Sequence, residues 1–163
     1  MNMAGDSIRE KELRKARNYC SRLLSLCPRT EHEIKARLES RGFRKVIQND
    51  ILDLLKKDGL VDDLRFARGW IDSRIRSKPR GVKLLRIELQ KKGVGDDVID
   101  RVLHEKAAEL DEKAVLREMV KKKIKEVESG PQKNIKGRLF QYVVQKGFDA
   151  ETAENVINEI MGG

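Results

Sequence analysis

The stretch RIELQKKGV, residues 86–94, ends in a lysine, a glycine and a hydrophobic residue. Two looser copies of this ending are RLESRGF at residues 37–43 and YVVQKGF at residues 142–148. A cation is favoured near a helix C-terminus by the helix dipole, and a glycine followed by a hydrophobic residue is a common way for a helix to end. The three segments therefore predict three helix ends of the same design.

The spacing of these endings indicates that a larger unit is repeated. The three glycines stand 51 and 54 positions apart, and the chain's three prolines precede them by 14, 14 and 16 residues. Proline is tolerated in the first turn of a helix but not in its interior, so each interval from proline to glycine predicts one short helix. The glycines and prolines are Gly42, Gly93, Gly147, Pro28, Pro79 and Pro131.

Hydrophobic residues stand at the same distances from the glycine in all three proline-to-glycine intervals. Positions 8 and 4 residues before each glycine are hydrophobic, which places both side chains on one helical face. Another amphipathic helix follows each glycine, and a leading helix precedes each proline at about residues 9–26, 63–77 and 111–128. A three-helix unit of this size gains most by stacking on its neighbours. The six phased residues are Ile34, Leu38, Leu85, Leu89, Leu139 and Val143.

We therefore predict an all-α protein in which three tandem three-helix repeats form an elongated, curved array. The composition agrees, because 39% charged and only 4% aromatic residues suit amphipathic helices better than a sheet. The expected division is a disordered N-terminus at residues 1–8, followed by repeats at residues 9–60, 61–108 and 109–163.

The net charge of +9 predicts attraction to polyanions, with nucleic acid as the first candidate and an anionic membrane surface as the second. No hydrophobic run approaches the roughly 18 residues of a spanning helix, and the N-terminal residues lack the hydrophobic core of a secretion signal. We expect a cytoplasmic protein. Cys20 and Cys27 are too far apart along one helix for a disulfide, and His32 and His104 lack zinc-ligand spacing, so we expect no metal or cofactor.

Basic residues are concentrated between residues 74 and 92, where eight cations accompany one acid, Glu88. A second basic segment, residues 121–138, is diluted by Glu126 and Glu128. Such a run is often only a solvated face, whereas a phosphate contact would make binding salt-sensitive and insensitive to sequence. The candidate filament-binding or nucleic-acid-binding residues are Arg74, Arg76, Lys78, Arg80, Lys83 and Arg86.

Three hydrophobic residues are candidate contacts outside the core. Leu84 and Ile87 lie off the core-facing stripe of their helix, and the other two copies have no large hydrophobic residue at these positions. They predict either packing between repeats or contact with a protein partner. Trp70 could stack on a nucleic-acid base, but its spacing from Phe66 favours burial.

Asp62 and Asp63 are the candidate catalytic or metal-binding carboxylates. They stand directly before a predicted helix, where aspartate caps the helix and is favoured by the helix dipole, so a helix start is the simpler interpretation. The sequence has no glycine-rich phosphate loop, nucleophile elbow or paired His/Glu motif, which argues against an enzyme. A nuclease that uses both aspartates with Mg²⁺ is the enzymatic alternative.

Three segments resemble the RecX family of bacterial regulators of the RecA recombinase. They are RTEHEIKARLESRGF at residues 29–43, DGLVDDLRFARGWIDSR at residues 58–74 and GVKLLRIELQKKGV at residues 81–94. The resemblance extends over residues 10–161, and the third repeat matches mainly through QKGFDAETAENVI.

The resemblance implies a non-enzymatic protein that binds RecA and its filament on single-stranded DNA. Such a protein lodges in the filament groove and inhibits strand exchange, coprotease activity and ATP hydrolysis, and so modulates DNA repair, recombination and the SOS response. We expect a monomer that binds DNA weakly and without sequence preference and has no membrane partner. The alternative is a stand-alone DNA-binding protein, built from helix-turn-helix-like repeats and showing base preference.

Overall fold

The computed structural model describes residues 3–107, 109–128 and 134–162, which contain nine helices and no strand. They form three consecutive groups of three, which we call modules 1, 2 and 3, and this confirms the predicted all-α array of tandem three-helix repeats. The helices are α1 Met3–Leu26, α2 Glu31–Ser40, α3 Lys45–Lys57, α4 Asp63–Ser77, α5 Val82–Lys91, α6 Asp96–Glu105, α7 Glu112–Glu128, α8 Ile135–Gln145 and α9 Ala150–Gly162.

Each module buries a hydrophobic cluster of its own. Extensive packing between described helices occurs only within a module, so the chain is an array and not a single globule. The six phased residues of the middle helices are fully buried, as predicted. Burying a side chain of this size contributes about 1.5–3 kcal/mol to folding.

The middle helices α2, α5 and α8 end in the same hydrogen-bonded turn. In α2 the Phe43 N–H donates to the Leu38 carbonyl over 3.2 Å, and the Gly42 N–H donates to the Glu39 carbonyl over 2.9 Å. The same pair of bonds closes α5 and α8. The three glycines have φ of +78°, +76° and +86°, a region that other residues enter only with strain. The predicted glycine helix ends are confirmed.

The prolines do not open the middle helices, contrary to the prediction from their spacing. Pro28 and Pro79 each lie two residues beyond the end of a leading helix. Proline cannot continue a helix, so these residues stop α1 and α4, and each middle helix begins afterwards with its own cap. The caps are Thr30 and Gly81. Pro131 lies outside the described residues.

The leading helices follow the predicted ranges with one difference. α1 begins at Met3 and not near residue 9, so from Met3 onward the segment expected to be disordered belongs to its first turns. α4 and α7 match the predicted ranges to within one residue. The repeat limits at residues 60 and 108 remain predictions. No helix in the described part of the chain is long and apolar enough to cross a membrane.

Neighbouring modules meet through their middle helices, which are arranged head to tail. The Thr30 hydroxyl, at the start of α2, donates to the Lys92 carbonyl at the end of α5 over 2.6 Å. In the same way, the Gly81 N–H at the start of α5 donates to the Lys146 carbonyl at the end of α8 over 2.9 Å. At both junctions, the N-cap residue of one middle helix donates to the carbonyl at the end of the next, from a hydroxyl at the first junction and from a backbone N–H at the second.

A second contact is also repeated at the two junctions. The first N–H of α2, from Glu31, donates to the Asp63 carboxylate over 2.8 Å, and the first N–H of α5, from Val82, donates to the Glu112 carboxylate over 2.7 Å. Each acid stands at the start of the next module's leading helix. The unpaired N–H groups at a helix start therefore bind the following module.

Candidate nucleic-acid and partner interface

The six predicted contact cations lie along the segment that joins α4 to α5 in module 2, which we call the α4–α5 corner. Two lie in the last turn of α4, two in the link between the helices, and two on α5. In that order they are Arg74 and Arg76, Lys78 and Arg80, and Lys83 and Arg86.

Two of these cations belong to a half-buried ionic cluster around Glu88. The Glu88 carboxylate accepts a hydrogen bond from Arg74 Nε at 2.8 Å and one from Trp70 Nε1 at 2.9 Å, and Arg80 Nε lies 3.2 Å away. The Arg74 and Arg80 side chains are each only 22% exposed. Burial raises the pKa of Glu88, but the hydrogen bonds and the two positive charges outweigh it and hold the pKa below its usual range.

Two further cations pair with acids at the surface. Lys83 Nζ lies 2.9 Å from the Asp149 carboxylate of module 3, and Arg86 pairs with Asp100 on α6. The hydrogen bond from Lys83 lowers the pKa of Asp149. Exposed ion pairs contribute little to stability, so a phosphate can replace either acid at small cost.

Arg76 and Lys78 are exposed, and no acidic side chain among the described residues pairs with them. They are the cations of the α4–α5 corner that can meet a phosphate without exchanging a partner.

The second basic segment is also partly compensated. Lys121 pairs with Glu118 at 3.5 Å and Lys123 with Glu126 at 2.6 Å. Exposed Lys122 has no acidic partner in the described residues. Lys133 lies outside them. Exposed Lys125, Lys136 and Arg138 also lack an acidic partner among the described side chains, so this segment stays a candidate for binding a polyanion.

The two hydrophobic candidates on α5 have different surroundings. Leu84 lies against the backbone of Gly147, where a methyl group added to the glycine would collide with it. This is packing between modules. Ile87 is 44% exposed, so it alone stays a prediction for contact with a partner.

Trp70 is half-buried and stacked on Phe66, with ring centroids 5.8 Å apart. Arg74 lies over the Trp70 ring at 4.3 Å and Lys92 at 5.2 Å. With Nε1 bonded to Glu88 as well, the ring is engaged within the protein, in agreement with the interpretation that its spacing favoured.

The aspartate pair has a structural place in the fold. Asp62 caps α4 by accepting the Arg65 N–H at 3.0 Å, and Asp63 accepts the Glu31 N–H across the first junction. Burial raises the pKa of Asp63. No group of three or more histidines, cysteines, aspartates or glutamates in the described ranges could hold a metal ion. The helix-start interpretation of Asp62 is confirmed.

Comparison with known proteins identifies the family. Residues 16–53 match the first three-helix domain of RecX, and residues 62–103 match the second. The chain is 33% identical over 152 residues to the regulatory protein RecX of Prosthecochloris aestuarii, an alignment that covers 93% of this chain and 97% of that protein. The chain belongs to the RecX family of regulatory proteins. The regulatory protein RecX of Mycolicibacterium smegmatis is also 33% identical, over 88% of this chain and 78% of its own length.

The fold agrees with solved RecX structures. The crystal structure of RecX from Lactobacillus salivarius superposes with a TM-score of 0.82 at 20% identity, covering 94% of this chain and 99% of that one. A second crystal structure of a regulatory protein RecX gives a TM-score of 0.84 at 22% identity, over 96% of this chain and 78% of that one.

One repeated feature of the chain was not predicted from the sequence. The cation before each repeat glycine lies over an aromatic ring: Arg41 over Tyr19 at 5.0 Å, Lys92 over Trp70 at 5.2 Å and Lys146 over Tyr142 at 5.5 Å. The first two contacts could have been predicted, because Tyr19 and Trp70 are 51 residues apart, the same spacing as Gly42 and Gly93. These cations therefore make a cation–π contact within the fold, in addition to the favourable interaction of their charge with the helix C-terminus.

Proposed function

We propose that this protein is a non-enzymatic regulator of the RecA recombinase. It binds the RecA filament on single-stranded DNA as a monomer and inhibits strand exchange, ATP hydrolysis and coprotease activity. The observation that carries the proposal is the nearly full-length similarity to a regulatory protein RecX. The engagement of Asp62 in capping α4 and of Asp63 in the junction contact supports a role without catalysis.

The α4–α5 corner supports the binding part of the proposal. Arg76 and Lys78 offer two positive charges that no acid of the described residues pairs with, and Lys83 and Arg86 pair with exposed acids. Ile87, which follows Arg86 on α5, adds an exposed hydrophobic side chain. A surface with cations and a hydrophobic residue can contact both the phosphates and the protein of a nucleoprotein filament, without reading base sequence.

An ATPase assay tests the proposal. We expect substoichiometric amounts of this chain to inhibit ATP hydrolysis by RecA on single-stranded DNA. The double variant Arg76→Glu with Lys78→Glu should require roughly tenfold more protein for the same inhibition, because both cations are free to contact phosphate. Reversing Arg80, Lys83 and Arg86 should also weaken inhibition, but Arg80 lies beside Glu88, so that variant disturbs the fold as well.

The matched control is Lys35→Glu with Arg37→Glu, which removes two exposed cations of α2 that have no acidic partner among the described residues. Its inhibition should stay within about twofold of the unmodified protein. Failure of the unmodified chain to affect the ATPase would overturn the proposed function.

A titration separates this function from stand-alone DNA binding. A regulator of the filament should bind RecA filaments more tightly than naked duplex, and its binding to naked DNA should weaken steeply with salt and show no base preference. Tight, sequence-dependent binding to duplex DNA without RecA would favour the alternative.

A further inference from the structure

The solvent-facing side of α1 carries a cluster of cations outside the α4–α5 corner. At about 100° per residue, six polar side chains between residues 11 and 25 fall within a sector of roughly 100°, and four of them are basic. No acid lies in the sector, although Glu10 borders it. The six exposed residues are Lys11, Arg14, Lys15, Asn18, Arg22 and Ser25. We call this surface the α1 basic face.

Ion pairing leaves the α1 basic face uncompensated. The charged residues of α1 that pair do so with α3 or its ends: Arg9 with Asp50 at 2.7 Å, Glu12 with Arg44 at 2.7 Å, and Arg17 with Asp58 at 3.3 Å. None of the four cations of the face forms a direct ion pair with an acid in the described parts of the chain, although the pKa of Glu12, lowered mainly by the hydrogen bond from Arg44, is lowered further by Lys15. The acids of module 1 therefore neutralise one flank of the helix and leave the outward sector positive.

The repeat architecture does not require these cations. Adding the repeat of 51 residues to the four positions gives their counterparts on α4 and its N-cap, which are an aspartate, an arginine, a phenylalanine and a serine. The buried positions of α1 and α4 are also 51 residues apart, since Ala16 corresponds to Ala67 and Cys20 to Ile71. Folding thus explains the inward side of α1 but not the charge on its outward side.

The chemistry of the α1 basic face fits a phosphate backbone. Lys11 and Arg22 are separated by about 16 Å along the helix, enough to follow several phosphates of a strand. An inserting membrane helix would need a hydrophobic face, but that of α1 is occupied by the core of module 1. We propose that the α1 basic face is a second phosphate-binding surface, which holds single-stranded DNA by its backbone. This inference rests on the proposed function, in which the protein acts on filaments formed on such DNA.

A binding assay without recombinase tests the inference. The fourfold variant Lys11→Gln, Arg14→Gln, Lys15→Gln and Arg22→Gln is compared with the control Lys35→Gln, Arg37→Gln, Lys45→Gln and Lys57→Gln. Both remove four exposed module 1 cations that have no acidic partner in the described residues, so the net charge changes equally. The probe is a fluorescein-labelled oligothymidine, titrated at several salt concentrations and followed by anisotropy, with helicity checked by circular dichroism.

We expect the α1 variant to bind the oligothymidine roughly tenfold more weakly or worse at low salt. Its plot of log affinity against log salt should be less steep by about 3, because up to four phosphate contacts are lost, whereas the control slope should change by less than about 1. Undetectable binding by the unmodified protein, unchanged binding by the α1 variant, or equal losses in both variants would overturn the inference.

A second arm distinguishes the source of the phosphate. Anionic phosphatidylserine vesicles replace the oligothymidine at the same salt concentration, and tighter binding to the vesicles would also overturn the inference. None of these results bears on the ATPase prediction, because the recombinase is absent from the assay. The α1 surface and the proposed function can therefore fail separately.

Discussion

Glu88 is the residue on which the α4–α5 corner depends. It is 17% exposed and binds Arg74 and Trp70, with Arg80 close by, so its negative charge holds two predicted contact cations in place. Removing that charge leaves two partly buried guanidinium groups without a counter-charge, which is more costly than the loss of one hydrogen bond. The single acid of the basic segment is therefore structural.

The lowered pKa of Glu88 predicts how its contribution depends on pH. Because the folded-state pKa lies below the ordinary value of 4.5, the ionised form stabilises the fold above that value, and the stabilisation is lost as the pH falls through the folded-state pKa. We expect Glu88→Gln to lower the free energy of unfolding by about 2 kcal/mol at neutral pH. The difference from the unmodified protein should shrink below about pH 4.

Urea unfolding at several pH values measures this effect. Glu10→Gln is the control, because Glu10 is exposed and should change stability by less than about 0.5 kcal/mol at any pH. A Glu88→Gln difference that stays constant from neutral to acidic pH would contradict the assignment.

At the scale of helices, sequence patterns correctly predicted the features that depend on neighbouring residues, namely which face of a helix is buried and where the helix ends. Leu38 and Gly42 gave the buried face and the end of α2, because helical periodicity and a left-handed glycine act over a few residues. The early start of α1 was missed, since the sequence of residues 3–8 has no hydrophobic periodicity. The role of Pro28 was misplaced because Thr30, two residues later, supplies the cap.

Thr30 links the start of a helix to a neighbouring module. Its fully buried hydroxyl accepts the Glu33 N–H at 3.1 Å and donates to the Lys92 carbonyl at 2.6 Å. Thr30→Val keeps the shape but loses the cap and leaves both groups unpaired, so we expect a loss of about 2–3 kcal/mol in the free energy of unfolding.

Chemical denaturation followed by circular dichroism provides the measurement. Ser40→Ala is the matched control, because its hydroxyl is exposed and bonds only to the Arg37 carbonyl of its own helix. It should cost less than about 0.5 kcal/mol. Equal effects of the two substitutions would show that neither the cap nor the contact with Lys92 contributes measurably.

For the whole molecule, charge along the sequence was a poor guide to free charge on the surface. Lys83 pairs with Asp149, 66 positions away, and Arg9 with Asp50, 41 positions away. Such pairs arise from tertiary packing, so counting acids near a basic run could not reveal which cations are compensated. The α1 basic face had a detectable signal in the sequence, four cations in one helical sector, but its lack of partners became visible only with the positions of α3.

The repeat glycines let the whole array be tested with a matched pair of substitutions. Gly42 and Gly147 have the same left-handed conformation, so alanine at either should cost about 1 kcal/mol through backbone strain. A methyl group at Gly42 meets nothing within 4 Å, whereas at Gly147 it collides with Leu84 of module 2. Only Gly147→Ala should therefore disturb a junction.

If modules bind the filament together, their relative placement must affect inhibition, because linked contacts strengthen one another only when their geometry allows simultaneous engagement. We expect Gly147→Ala to need roughly threefold more protein, or more, than Gly42→Ala for half-inhibition of the recombinase ATPase. Oligothymidine binding, which we attribute to α1 in module 1, should remain equal in both. Equal inhibition by the two folded variants would mean that inhibition of the ATPase does not depend on how module 3 is placed against module 2.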